Sequence, residues 1–425
     1  MANIPTCRLR GSRRDFLRSG FFGVGIGASM PLVFRHSALE VAAQSFLEDK
    51  EAHPERILVV VELAGGNDGL NTVIPYGNDT YYKLRPRLAI RAADVLKLNP
   101  RAGLHPSMTG FRALWDQGQL AIVEGCGYPN PNRSHFTSME YWHTGVPNAP
   151  ESLGWVGRFA DSFWRQPAAG RIVNIAERQS LAVQSDRHAP IVFSDPNRYV
   201  RAGDPAQESL YRNILERDTV QANRTLTFLR GIARTAADTS VKVRQAVRDY
   251  RTPVSYGSES SVSTLSTDLK KVAALIHAGF PTRIYYAGIG GFDTHASQPG
   301  AQQGLLMYVA DAIEGFCKDL KRIGRSADVA VMMFTEFGRR VAENQSAGTD
   351  HGTATPMYIV GEKVRGGFYG AHPSLEELDS NGDLKMTTDF RRVYATMLQE
   401  WIGYGDSRAV LRGDFPGLGV FAGRG

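Results

Sequence analysis

Hydrophobic positions along this chain fall into short, nearly unbroken runs, separated by longer stretches with helical spacing. The runs are Glu55–Leu63 (ERILVVVEL), Leu120–Glu124 (LAIVE), Arg283–Ala287 (RIYYA), Val329–Phe334 (VAVMMF) and Met357–Val360 (MYIV). None alternates apolar with polar, as a strand with one wet face would. Each is therefore predicted to be a strand buried on both faces, which requires a mostly parallel sheet covered by helices. Arg171–Ala189 carries shorter apolar segments and is predicted to supply a further strand pair. Helices are predicted over Pro106–Gln117, from Ser134 onward, over Thr267–Ala278, where Leu269, Val272, Ala273, Leu275 and Ile276 share a face, and over Leu305–Ile323. A last helix is predicted at Thr387–Ile402, capped by Thr387 or Thr388. Residues 204–250 read as a helical insertion, and Ser255–Ser266 as a serine-rich connection. Strands alternating with helices place the chain in the α/β class.

The ends of the predicted strands carry the candidate chemistry. Glu55–Leu63 runs into Ala64-Gly65-Gly66-Asn67-Asp68, Arg283–Ala287 into Gly290-Gly291-Phe292-Asp293-Thr294-His295, and Val329–Phe334 into Thr335-Glu336-Phe337-Gly338. Open α/β sheets bind ligands at the carboxyl ends of their strands, where glycines let the backbone approach closely. In extended backbone Asp293 and His295 project to the same side and could grip one cation. Asp350-His351-Gly352 precedes the Met357–Val360 run; an acid and an imidazole can ligate a metal or move a proton, and a turn with a surface histidine fits the same residues. Asp68 is either a ligand or an ordinary turn aspartate. Ser134 sits where a helix begins, as a simple N-cap or as a nucleophile helped by the helix dipole. No Gly-x-Ser-x-Gly elbow, phosphate-binding loop or His-Glu-x-x-His is present in the chain.

Charge changes the picture at the N-terminus. Ser12-Arg13-Arg14-Asp15-Phe16-Leu17-Arg18 precedes an uncharged, glycine-rich stretch, Ser19–Phe34, and Val41-Ala42-Ala43 offers small residues for cleavage. Residues 1–43 thus read as an export signal, and the paired arginines resemble the twin-arginine type, which implies the twin-arginine translocase as a partner and a periplasmic or extracellular location in a bacterium. Residues 1–43 hold six arginines and two acids, a net of +4, so the remainder carries +2 of the formal +6. No basic run is left to favour nucleic acid, and no transmembrane span follows the leader. Cys126 and Cys317 are too few to form a disulfide framework.

LAGGNDGLN, PNRSHFTSMEYWHTG, GGFDTH, TEFGRR and DHGT together resemble the twin-arginine-exported, sulfatase-like family catalogued as domain of unknown function 1501, a branch of the alkaline phosphatase superfamily. The resemblance spans roughly residues 55–405 and implies one α/β/α sandwich domain over residues 44–425. It implies divalent metal ions acting on a small-molecule or glycan ester of phosphate or sulfate. Residue by residue, it implies Asp68 as the first acidic ligand, Ser134 as the nucleophile with Arg133 and His135 beside it, Asp293 and His295 as an acid–histidine pair, Glu336 as the acid of a second pair, and His351, with Asp350 beside it, as the last ligand. Phe337 stands where that second pair should have its histidine, and the spacing of Asp293 and His295 is compressed. One ion is therefore expected rather than two, with Arg339 or Arg340 neutralising Glu336. The alternative is a non-catalytic surface binding or assembly protein on the same fold.

Overall fold

The computed structural model describes residues 53–165, 170–199, 239–258 and 264–421. The export signal lies outside the described residues, as do residues 204–238 of the expected insertion; residues 239–249 are helical.

The strands are β1 (Ile57–Leu63), β2 (Val73–Ile74), β3 (Leu96–Lys97), β4 (Gly103–Leu104), β5 (Leu120–Gly127), β6 (Ile172–Ile175), β7 (Ile191–Phe193), β8 (Ile284–Ile289), β9 (Val329–Phe334), β10 (Thr355–Val360), β11 (Gly367–Tyr369) and β12 (Thr388–Asp389). Among the described residues a nine-stranded sheet runs in the order β11-β5-β10-β9-β1-β8-β6-β7, with β12 also on β5, while β2, β4 and β3 form a small separate sheet. Every pairing in the large sheet is parallel except those of β10, which runs antiparallel to both β5 and β9.

Alternate residues of β1 explain the layers. Val59 and Val61 face one core with Phe111, Leu114, Leu269, Val272, Val309 and Ile313. Leu58 and Val60 face the other, with Trp142, Trp155, Phe159, Tyr394 and Leu398. The fold is therefore an α/β/α sandwich with a mostly parallel sheet, and helix α1 (His135–Thr144) lies on the second face. Trp142 on α1 stacks between Phe334 and Phe390, with ring centroids 5.5 and 4.2 Å away. Removing that indole would cost about 3–5 kcal/mol, so α1 is held firmly against the end of β9.

Two local expectations give way to packing. The second strand of the predicted 171–189 pair lies later, at β7, and Leu181–Val183 is a 3₁₀ turn. The C-terminal helix begins at Arg391 with Phe390 at its cap, because Thr388 pairs with Cys126 in the sheet instead.

β5, β8, β9 and β1 point the same way, so their carboxyl ends share one edge of the sheet. Because β10 is reversed, the residues before it reach that edge too. At β1 the chain turns through Gly65 and Gly66, whose φ angles of +118° and +70° only glycine adopts without strain. A Cβ on Gly65 would sit 2.5 Å from the Asp293 amide nitrogen, so the absent side chain is what lets the loops after β1 and β8 touch.

Candidate metal centre

Four segments meet at this edge. His135 is the first residue of α1, after β5; Asp293 and His295 follow β8; Glu336 follows β9; Asp350 and His351 precede β10. Asp293 Oδ1 is the hub. It lies 3.4 Å from His135 Nε2, 3.0 Å from His295 Nε2 and 3.2 Å from His351 Nε2. His295 Nε2 and His351 Nε2 are themselves 2.9 Å apart. His135, Asp293 and His351 offer ligand atoms all within 4.8 Å of one another.

The far nitrogen of each ring is already committed. His135 Nδ1 lies 2.7 Å from Glu336 Oε1, His295 Nδ1 lies 3.3 Å from Asp350 Oδ1, and His351 Nδ1 lies 2.9 Å from the Arg133 carbonyl oxygen. A carbonyl only accepts, so Nδ1 of His351 must donate. Glu336 already accepts from the Gly65 N–H and the Thr335 hydroxyl, and Asp350 from the Asn344 amide, so Nδ1 donates there too. In the neutral ring, each Nε2 is then a lone pair turned toward the same carboxylate. The Nε2 of His135 is buried and has no hydrogen-bond partner.

Charge agrees with this assignment. Burial first, and then the charge of Arg339, hold His351 below the ordinary histidine range, against the opposing pull of Asp293 and the Arg133 carbonyl. Burial alone would raise the Asp293 carboxyl, but the hydrogen bond and charge of Arg339, with the imidazoles around it, outweigh burial and bring it to about 2. Arg339 is fully buried and also donates to the carbonyls of Gly66, Thr349 and Phe292, so it fixes Asp293 in place.

Donors about 3.0–3.4 Å apart are the spacing set by a small divalent ion whose bonds to nitrogen and oxygen are about 2.0–2.1 Å, as for zinc. The imidazole and carboxylate donors suit zinc or a similar borderline ion. The residues present therefore fit the metal that the sequence resemblance implies.

The other sequence candidates fall differently. Asp68 is fully buried and its Oδ2 is taken by Arg85 and Gln298, each at 2.6 Å, while Oδ1 accepts from the Leu70 N–H. It joins none of the Asp293 contacts, and Arg85 is a partner that no motif signalled. Arg339 and Arg340 do not neutralise Glu336: Arg339 pairs with Asp293, and Arg340 lies 3.7 Å from the buried Asp383. Arg133 also pairs with Asp383, so its guanidinium is held there while its carbonyl serves His351. Ser134 is the exposed N-cap residue of α1, and its hydroxyl makes no capping bond. Cys126 and Cys317 are both free thiols. The sequence signal missed altogether was the Gly65 amide, although its glycine turn was visible.

Several solved structures align over most of the chain at about one residue in ten identical. The C-terminal periplasmic domain of EcEptC from Escherichia coli shares 10% identity over 86% of this chain and 88% of its own, with a TM-score of 0.36. The alkaline phosphatase from the Antarctic bacterium TAB5 shares 9% over 74% and 95%, with a TM-score of 0.28. BT1596, a 2-O GAG sulfatase, shares 9% over 73% and 65%, with a TM-score of 0.29. No curated protein matches the chain. A family model described as "Protein of unknown function (DUF1501)" matches residues 55–413, and the chain belongs to that family.

Proposed function

We propose that this chain is an exported, metal-dependent hydrolase of phosphate or sulfate esters that holds one divalent ion. One observation carries the reading: three imidazoles, each with Nδ1 tied to an oxygen acceptor, turn Nε2 toward a single carboxylate oxygen. Without a cation, three lone pairs and a carboxylate would repel one another. Asp293, His295 and His351 would hold the ion, with His135 closing on it from α1. Bound there, the ion would polarise an ester oxygen and offset the charge that develops on it. Arg339 keeps Asp293 ionised and in place. Ser134, the residue before His135, supplies an exposed hydroxyl at the positive end of α1, where an attacking oxygen and an anionic ester would both be favoured.

Metal analysis of protein dialysed free of excess ions, followed by a panel of aryl phosphate monoesters, diesters and sulfates, tests this. One equivalent of metal and turnover of one ester class are expected. Bound metal without turnover would leave a binding protein on the same fold, and no metal would end the reading.

The export half rests on Arg13 and Arg14, ahead of an apolar stretch. Changing both to Lys keeps charge but loses guanidinium geometry, so precursor is expected to accumulate in the cytoplasm. Normal appearance of the processed form outside it would remove the twin-arginine route.

A further inference from the structure

Glu336 is an acid at the end of a central strand, where a second ion could be held, yet its oxygens are turned elsewhere. Oε1 accepts from the Gly65 N–H at 2.9 Å and meets His135 Nδ1 at 2.7 Å; Oε2 meets the Thr335 hydroxyl at 3.0 Å and the same amide at 3.2 Å. The side chain is 2% exposed. The next residue, Phe337, lays its ring 4.9 Å from the His135 ring and 4.8 Å from the His351 ring, filling the space beside them with hydrocarbon. A second cation at this place would find neither a free carboxylate oxygen nor a donor at residue 337.

We infer that Glu336 is a positioning residue and not a ligand: it locks His135 with its proton on Nδ1 and so aims Nε2 at the ion held by Asp293. This rests on the metal-dependent reading above and deepens it, because it divides the acids of the site into one that binds and one that orients. A carboxylate behind a ligating imidazole fixes the ring and raises its basicity, and removing such a partner typically costs 10–100-fold in metal affinity. The Gly65 amide in turn fixes Glu336, so the loop after β1 reaches the ion through two hydrogen bonds.

The test uses the purified chain stripped with a chelator and titrated with zinc alone against a chromogenic competitor, as wild type, Glu336→Gln and Glu336→Ala. Nitrogen-15 spectra of the histidine rings, recorded on the same proteins before zinc is added, report which ring nitrogen of His135 carries its proton. One equivalent of zinc is expected in all three proteins. Affinity should fall about 10–100-fold in the alanine variant and less in the glutamine variant, whose amide oxygen still accepts from Nδ1. The His135 signal should shift away from the Nδ1–H form only in the alanine variant. Two equivalents in the wild type, with one lost in the alanine variant, would make Glu336 a ligand and overturn the inference. Unchanged affinity and an unchanged His135 signal would overturn it as well. If the wild type takes up no zinc, the metal-dependent reading itself falls; if the wild type binds zinc and the variants match it, only the role of Glu336 falls.

Discussion

Asp68 and Asp293 look alike in sequence and differ completely in the fold. Each follows a buried strand and a pair of glycines, and the two strands, β1 and β8, lie side by side. The Asp68 side chain is 0% exposed and shares its Oδ2 between Arg85 and Gln298. The Asp293 side chain is 48% exposed and gathers three imidazoles. The first carboxylate already has its counter-charge inside the protein and nothing left to offer a cation. The second has one buried arginine and three neutral donors, an arrangement completed by an added positive charge. Each has one buried arginine, so what separates a structural aspartate from a ligand here is exposure and the three imidazoles, not position along the strand.

The largest expected effect breaks the comparison at Asp68. Asp68→Ala leaves Arg85 charged and buried, which should cost about 3–5 kcal/mol in urea unfolding. Asp293→Ala, by contrast, should cost metal-free protein only about 1–2 kcal/mol, because the Asp293 side chain is half exposed and water can take its place beside Arg339, yet it should abolish stoichiometric zinc. Equal stability losses in the two variants would erase the distinction.

Gly65→Ala acts on the seam between the two loops. Its φ of +118° and the 2.5 Å approach to the Asp293 nitrogen predict a loss of about 1–3 kcal/mol together with weaker zinc binding. A variant with normal affinity would show that the seam does not set the site.

The pH dependence sharpens the comparison further. His351 sits below the ordinary histidine value of 6.5, chiefly through burial, so between its folded pKa and 6.5 the unfolded chain binds more protons. Stability of the metal-free protein should therefore rise with pH across that window. Asp293, at about 2 against 3.8, contributes stability that is complete above 3.8 and lost as pH falls through about 2. In His351→Gln the rise approaching 6.5 should shrink, and an unchanged curve would assign it elsewhere.

The smallest effect is expected at Ser134. Its hydroxyl makes no capping bond, so Ser134→Ala should change stability by no more than about 0.5 kcal/mol and leave zinc binding intact. If the serine is the nucleophile, ester turnover alone should disappear.

The layers of this fold were legible because both-face burial leaves unbroken apolar runs, and β1, β5, β8, β9 and β10 all show them. The strand β7 was misplaced because three residues carry too little pattern to locate. The caps failed where Thr388 was drawn into the sheet, a tertiary pairing that overrides a local preference. The chemistry-bearing residues around Asp293 stood out by type, but their partners did not: nothing near Arg85 in sequence points to Asp68, and nothing near Arg133 says that its carbonyl, rather than its guanidinium, would serve His351. Contacts between residues 17 and 218 positions apart belong to the fold and not to any motif.

The reversed direction of β10 has a consequence for how the protein comes together. The antiparallel β9–β10 pair is joined by a single connection, residues 335–354, that carries Glu336, Arg339, Asp350 and His351. Closure cost grows only slowly with loop length and this pairing is local in sequence, so this half can form early. Asp293, His295 and His135 arrive only when β8 docks through β1 and β5 docks on β10. The early half holds one imidazole, too little to retain zinc. Zinc should therefore leave the refolding rate nearly unchanged and slow unfolding, making the ion a latch on the finished sheet rather than a seed for its assembly.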